Sequence, residues 1–407
     1  DSGLRRNDDF DIYCRRSNTS RNFVNGKVDS MADNRRQRAV VCMYDGFGFD
    51  YYERSRLPVM KQMAAEGFVK QGQAVFPTLT NANNISICCA AWPAEHGVTT
   101  NCYFDEASGT ARFLEDADFL LAPTIFRRFR EKGIPSALLT CKEKTLLLVG
   151  RDTDVALAAE APSPEVVTRY GAPPPMYSAE INFWLWRVAI DLLETRPDIG
   201  LLYVHTTDYP MHKWAPEEAP SLDHMARLDE LLGEAREVAP DAMFLITADH
   251  GMNPKKRCLD LRRICADQGM DLRFAVSPVA DRLLAHHRGF GGVSYVYLHS
   301  AGELAGRAEF LRGLEGVDDV LPRLEAAARF HLMPERIGDL VVLADIDTVF
   351  GDLDAPREEL GAGYRNHGSL YEADIPLIIG GLKGVPVPPA EMETNFDLTR
   401  WLCRIAL

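Results

Sequence analysis

Three aspartates and three histidines in this 407-residue chain stand where short apolar runs stop. Asp45 ends AVVCMYDG, Asp208 ends IGLLYVHTTD with His212 four residues on, Asp249 and His250 close MFLITADHG, and His367 lies in YRNHGS. Carboxylate oxygens and imidazole nitrogens are donors that suit zinc or manganese, so jointly the six residues form a ligand set for two divalent cations. His212, about one helical turn from Asp208, can share a cation with it. By the same logic Asp45 and the Asp249–His250 pair can hold a second. Two such ions about 4 Å apart clamp a phosphoryl group during transfer. A nucleophile is then required, and FPTLTNANNISICCAAWPAEHGVTTN, Phe76–Asn101, offers hydroxyls at a strand-to-helix junction, with no charge before Glu95. A nearby cation eases deprotonation of a threonine hydroxyl, and a helix N-terminus presents backbone N–H groups to phosphate. Taken singly, each residue reads more simply as a cap, a turn or a core residue; Asp45-Gly46 alone is a turn signal.

These residues must be positioned by the elements that precede them. The apolar runs Ala39–Gly46, Ile199–Asp208 and Met243–Gly251 are rich in Val, Ile and Leu, which reads as strands covered on both faces. Helical segments at Pro58–Gly67, Pro123–Gly133, Ala179–Thr195 and Ser221–Val238 lie between and around them. The alternation predicts an α/β fold with a largely parallel central sheet and helices on both faces. Ligands of such sheets bind beyond the carboxyl ends of the strands, where the aspartates fall. From Asn253 to Gly361 the rhythm changes, with β-like pieces in FAVSPVADRLLAHHRGFGGVSYVYLHS, a helical Ala301–Leu314 and a strand in Asp339–Asp347. Residues 253–361 are therefore expected to form an inserted, smaller α+β cap, with 31–252 and 362–407 as the metal-binding core and the sheet resuming at IPLIIGG, Ile375–Gly381.

Composition bounds the function. With 59 acidic against 45 basic residues and a net charge of −14, the chain is unsuited to wholesale binding of nucleic acid or an anionic membrane. A small anionic substrate then needs positive charge concentrated locally, from cations or a few aimed lysines. Nine cysteines without a CxxC pair read as reduced thiols of a cytoplasmic protein. No apolar run reaches the roughly 18 residues of a membrane span. Residues 1–30 are polar, carry five aspartates and lack a secretory h-region, so they read as a disordered tail or an over-extended start ahead of Met31.

Taken in order, Asp45, FPTLTNANN…PAEHGVTTN, TTDYPMH, TADHGMN and NHG resemble the alkaline phosphatase superfamily, in the branch of nucleotide pyrophosphatase/phosphodiesterases and phosphonoacetate hydrolase. The motifs span Asp45–His367. The resemblance implies that Thr80, the second threonine of PTxT, is the nucleophile, that Thr78 is structural, and that Asn101 donates to a phosphoryl oxygen. It further implies one zinc on Asp208, His212 and His367 and another on Asp45, Thr80, Asp249 and His250, Mn2+ being an alternative cation. LLTCKEKTLLLVG reads by itself as a strand, Ser136–Cys141, followed by a solvated turn. Its Lys142 and Lys144 also resemble the K-x-K pair with which phosphonoacetate hydrolases bind the substrate carboxylate. NANNISI, where the phosphodiesterases have FPNHYS, leans the same way.

Cleaving the C–P bond of phosphonoacetate expels a carbanion that spreads into the carboxylate, and two ammonium groups there would stabilise it. The expected activity is hydrolysis of phosphonoacetate to acetate and phosphate through a phosphothreonine. A phosphodiester hydrolase and a catalytically silent phosphonate-binding protein are the alternatives, and a homodimer is left open. Among lesser candidates, His286 and His287 of the cap could reach the substrate carboxylate, His205 could orient a metal ligand, Glu95 and His96 read as structural, and Trp184 and Trp186 as core. Ile85–Trp92 is expected to be a buried helix, its CCAAW replacing the family's smaller VTG-type segment.

Overall fold

The computed structural model describes residues 37–280 and 288–406. Residues 1–36, Met31 among them, and the two candidates His286 and His287 lie outside the described residues. Seven strands form the main sheet: β1 Arg38–Met43, β2 Phe68–Gln73, β3 Ser136–Thr140, β4 Val155–Ala158, β5 Leu201–His205, β6 Ala242–Thr247 and β7 Asp374–Gly380. Their spatial order is β2-β7-β6-β1-β5-β3-β4. β1 runs parallel to β5 and β6, and β3 runs parallel to β4 and β5. Only β7 runs against its neighbours β2 and β6.

Register turns this sheet into a platform. Met43 pairs with both His205 and Thr247, and Thr140 pairs with His205, so the last residues of four strands share one row. Asp45, Asp208, Asp249 and Lys142 leave the sheet within three residues of that row. The chain leaves β3 toward β4 at one edge and leaves the adjacent β5 back across β1 to β6, so these two connections diverge, the arrangement that opens a crevice at the carboxyl ends.

Eight helices matter here: α1 Pro58–Glu66, α2 Thr80–Cys89, α3 Ile125–Glu131, α4 Glu143–Val149, α5 Glu180–Thr195, α6 Tyr209–Lys213, α7 Ala219–Val238 and α8 Asn395–Ala406. α1, α5 and α7 pack together, and α2 packs with α3, α4 and α8. β1, β3, β5 and β6 are buried along both faces, as their apolar runs require, while the edge strands β2 and β4 are partly exposed. Trp186 and Tyr44 meet in this core with ring centroids 5.9 Å apart, and burying each such ring contributes roughly 1.5–3 kcal/mol. Trp184 is buried as well.

The segment 253–361 leaves and returns through a two-residue antiparallel pair, Asn253–Pro254 with Arg365–Asn366. Within it Phe274–Val276, Val293–Tyr297, Leu340–Ala344 and Val317–Pro322 build an antiparallel sheet, and Arg257–Leu259, Thr348–Phe350 and Arg357–Glu359 a smaller mixed one. Apolar residues of the larger sheet share a cluster with Phe76, Leu79, Ala82, Cys102 and Phe104, so the segment is seated beside the start of α2.

One expectation needs correction. A single buried helix does not run over Ile85–Trp92: α2 stops at Cys89, and Ala90 turns left-handed at φ 54° with its N–H on Ile87 and Ser86 carbonyls. Trp92 instead starts a short turn, with Glu95 accepting from its backbone N–H. Its ring stacks on His331 at 4.2 Å and meets Phe396 edge-on. Cys88 and Cys89 are buried, and all eight described cysteines are free thiols. No described helix is long and apolar enough to cross a membrane.

The two ends of the inserted segment are locked by a buried ion pair. Lys255 Nζ lies 2.8 Å from Glu372 Oε1, and Glu372 also accepts from Asn253, Ser369 N and Ser369 Oγ. Removing one member leaves the other charged in a site without water. Glu372→Ala is expected to cost about 3–5 kcal/mol in denaturant unfolding; a loss below about 1 kcal/mol would show that the pair does not hold this junction.

Candidate metal centre and nucleophile

Asp45, Asp249 and His250 are fully buried, and Asp208, His212 and His367 nearly so. The ligating atoms of Asp208, His212 and His367 lie within 4.8 Å of one another, as do those of Asp45, Asp208 and His250. Asp208 therefore belongs to both groups. Asp249 is bound through Oδ1 by the backbone N–H groups of Gly46 and His250, each at 3.0 Å, and turns Oδ2 to 3.3 Å from His250 Nε2. Gly46 has φ +75°, and a Cβ there would stand 3.1 Å from that of Asp208, so both backbone and space demand glycine.

The histidine tautomers are fixed by what their Nδ1 atoms meet. His212 Nδ1 faces the Arg365 carbonyl at 2.9 Å, His250 Nδ1 that of Gly251 at 2.9 Å, and His367 Nδ1 that of Thr78 at 2.8 Å. A carbonyl only accepts, so each Nδ1 carries the proton and each Nε2 offers a lone pair. Burial lowers the pKa of His250 and, with its two histidine neighbours, that of His367, keeping both rings neutral. His212 Nε2 lies 3.0 Å from Asp208 Oδ2. Asp45 Oδ1 and Asp249 Oδ2 are buried without a hydrogen-bond partner among the described residues. Converging lone pairs and orphaned carboxylate oxygens are what a cation satisfies, so the residues present fit divalent metal binding.

Lys142 reaches into the same cluster, 2.5 Å from Asp45 Oδ2 and 3.3 Å from Asp208 Oδ1. Burial and Asp208 oppose ionisation of Asp45, but Lys142, His205 and His250 outweigh them and hold its carboxyl below the usual range. Burial and then Asp45 push Asp249 well above that range. Burial alone would lower the Lys142 pKa, yet Asp208 and Asp45 raise it above that of an ordinary lysine. Its side chain is 22% exposed and Lys144 is 7% exposed, so the two lysines turn inward while Glu143 between them stays exposed.

Thr80 opens α2 with Oγ1 3.5 Å from His250 Nε2. No side chain caps this helix, so its first N–H groups face the site unengaged by a cap. Thr78 points elsewhere: its hydroxyl donates to Ser369 and accepts from Gly368 N, and its carbonyl holds His367. Thr78 therefore ties the loop before the nucleophile to the loop of a metal ligand. Asn101 is held by the inserted segment, with its N–H on Pro278 and Nδ2 on the Val279 carbonyl at 3.3 Å, rather than by Thr80.

The asparagines following Thr80 divide their work, which the sequence run did not separate. Asn83 donates to the carbonyls of Val75, Pro77 and Leu79 and accepts from Val75 N, fixing the loop that delivers Thr80. Asn84 receives the Tyr203 hydroxyl at 2.6 Å and meets His205 Nδ1 at 3.4 Å. Asn182 of α5 grips both backbone groups of Thr207, one residue before Asp208. His205 is brought to the site as expected: Nε2 is 3.4 Å from Asp45 Oδ2, and Nδ1 is within 3.2 Å of the Thr140 and Thr145 hydroxyls. Glu95 caps a turn, and His96, paired with Ser86 and Val98, serves structure.

The family model described as type I phosphodiesterase/nucleotide pyrophosphatase matches residues 39–370. Bis(5'-adenosyl)-triphosphatase of Mus musculus is 25% identical over 274 residues, 63% of this chain and 57% of its own length. Ectonucleotide pyrophosphatase/phosphodiesterase family member 7 of Mus musculus is 24% identical over 56% of this chain and 53% of its own. The chain thus spans about half the length of these curated relatives. Among solved structures, phosphonoacetate hydrolase from Sinorhizobium meliloti 1021, seen with phosphonoformate and with phosphonoacetate, superposes at TM-score 0.82 with 27% identity, covering 91% of this chain and 96% of that one.

His205 gives this centre a direct test. Its proton on Nε2 orients Asp45, and such outer partners typically contribute about 10–100-fold to metal affinity. Zinc titration of chelator-stripped His205→Ala should show a Kd raised by about that factor, whereas an unchanged Kd would remove His205 from the support of Asp45.

Proposed function

The chain belongs to the type I phosphodiesterase/nucleotide pyrophosphatase family, and from that premise we propose that it is a di-zinc hydrolase cleaving the C–P bond of phosphonoacetate to acetate and phosphate. The observation that carries this reading is the placement of Lys142 on the turn that leaves β3, beside Asp45 and Asp208, with Lys144 buried two residues on in the first turn of α4. A phosphodiester gives such lysines no carboxylate to hold. The likeness to a phosphonoacetate hydrolase over 91% of the chain supports the same choice.

Asp208, His212 and His367 would hold one zinc, and Asp45, Thr80, Asp249 and His250 the other, with Mn2+ able to substitute. Bound there, the ions supply Lewis acidity to the phosphoryl oxygens and favour the ionised hydroxyl. Thr80 Oγ1 attacks phosphorus in line, while Asn101 and the first N–H groups of α2 receive phosphoryl oxygens. A P–O bond forms to Thr80 as the C–P bond breaks, and its electron pair passes into the carboxylate as an enediolate. Lys142 and Lys144 stabilise that charge, and protonation at carbon releases acetate. Water then cleaves the phosphothreonine, freeing phosphate and restoring the hydroxyl. The segment 253–361 would cap the site, His286 and His287 could approach the carboxylate from it, and the free cysteines suit a cytoplasmic enzyme.

The family match favours a second reading, hydrolysis of a phosphodiester by the same Thr80 and cations. A silent binding protein is disfavoured, because Thr80 and every expected ligand are present.

Thr80→Ala is expected to reduce turnover by at least about a thousandfold with metal content nearly unchanged, since Asp45, Asp249 and His250 remain to hold that ion; retention of most activity would reject the nucleophile. Replacing Lys142 and Lys144 together with Ala should lower kcat/KM for phosphonoacetate by about 100-fold or more, far beyond the effect on an aryl phosphodiester. Equal losses on the two substrates would favour the diesterase.

A further inference from the structure

Arg365 stands two residues before His367, is only 7% exposed, and spends its guanidinium on loops rather than on a carboxylate. Its Nε donates to the Met211 carbonyl at 2.9 Å, and its Nη2 donates to the Met252 carbonyl at 2.8 Å and to the Tyr51 hydroxyl at 3.2 Å. Each acceptor belongs to a segment that carries a candidate ligand. Met211 precedes His212, Met252 comes two residues after His250, and Tyr51 lies in the helical turn Phe49–Arg54 that follows Asp45. With its own place beside His367, one side chain thus joins all four ligand-bearing segments.

The grip is tightest on His212. That histidine sits on α6, which has only the five residues Tyr209–Lys213 and is too short to stand without tertiary support. The last carbonyls of such a helix have no partner within it. Here Arg365 takes that of Met211, while the fully buried Tyr51 donates its hydroxyl to that of Trp214 at 2.8 Å. The Arg365 carbonyl in turn receives His212 Nδ1 at 2.9 Å. The two ends of one residue therefore fix both the backbone before His212 and the orientation of its ring. Three acceptors on separate segments suit a planar fork of donors, which the point charge of a lysine does not reproduce.

Resting on the reading of this cluster as a two-ion metal centre, we propose that Arg365 is a positioning residue that sets the affinity of the ion on Asp208, His212 and His367, with Tyr51 as its relay to the end of α6. The sign of the effect separates positioning from charge. A guanidinium near a cation site opposes the incoming cation, so its removal would tighten binding if charge alone mattered. If positioning is the role, its removal loosens binding.

The test is zinc titration of the chelator-stripped full chain, carried out on wild type, Arg365→Met, Arg365→Lys and Tyr51→Phe, with His212→Ala marking which binding step belongs to that ion. Arg365→Met should raise the Kd of that step by about 10–100-fold, with a smaller change for the other ion. Arg365→Lys, which keeps the charge and loses the fork, should also raise it. Tyr51→Phe removes one neutral hydrogen bond and should raise it by about three- to tenfold, deciding the matter alone if the Arg365 variants do not fold. An unchanged or lowered Kd at that step, equal weakening of both ions, or wild-type affinity in the lysine variant would each overturn the assignment. A wild-type protein that takes up no zinc would instead overturn the metal-centre reading on which it rests.

Discussion

Three carboxylates packed out of water at the ends of neighbouring strands are the constraint around which this molecule is organised. Asp45, Asp208 and Asp249 are buried, with His212 and His250 Nε2 atoms at 3.0–3.6 Å from their carboxylate oxygens. Such an arrangement is repulsive until positive charge enters it. Lys142 supplies part of that charge to Asp45 and Asp208, while Asp249 has no lysine or arginine ion pair among the described residues. The shortfall is the physical reason to treat the cluster as a candidate metal centre: a divalent cation would supply the positive charge that Lys142 leaves unmet.

What surrounds the cluster serves to aim it. Backbone carbonyls of Arg365, Gly251 and Thr78 hold three histidines in the one tautomer that points a lone pair inward. Asn182 grips the residue before Asp208, Gly46 N and His250 N grip Asp249, and His205 steadies Asp45. Thr78 links the nucleophile loop to His367 through its hydroxyl and carbonyl, and the Lys255–Glu372 pair anchors the strands on which both the Asp249 and His367 loops end. Because one network joins Asp45, His205, Thr140 and Thr145, the metal ligands and the lysine turn are positioned together.

The ligand set was legible because its signals are local: an unbroken apolar run, then an aspartate and a turn. The parallel sheet followed from the same runs. Other features were not legible, for identifiable reasons. β7 reverses direction, but a fully buried strand reads the same either way. The end of α2 at Ala90 carries no glycine or proline to announce it. Asn83 and Asn84 are identical in type, and only the residues each faces separate a loop clamp from a buried linker. Lys255 and Glu372 are 117 residues apart, so nothing in sequence joins them.

Stoichiometric analysis of products from phosphonoacetate tests the account most directly. The zinc-loaded protein is incubated with phosphonoacetate, beside an aryl phosphate monoester and an aryl phosphodiester, and phosphate and acetate are quantified together. The account predicts equimolar acetate and phosphate, with phosphonoacetate preferred over both esters and turnover abolished by chelation. Clear preference for the diester, with phosphonoacetate recovered intact, would contradict it.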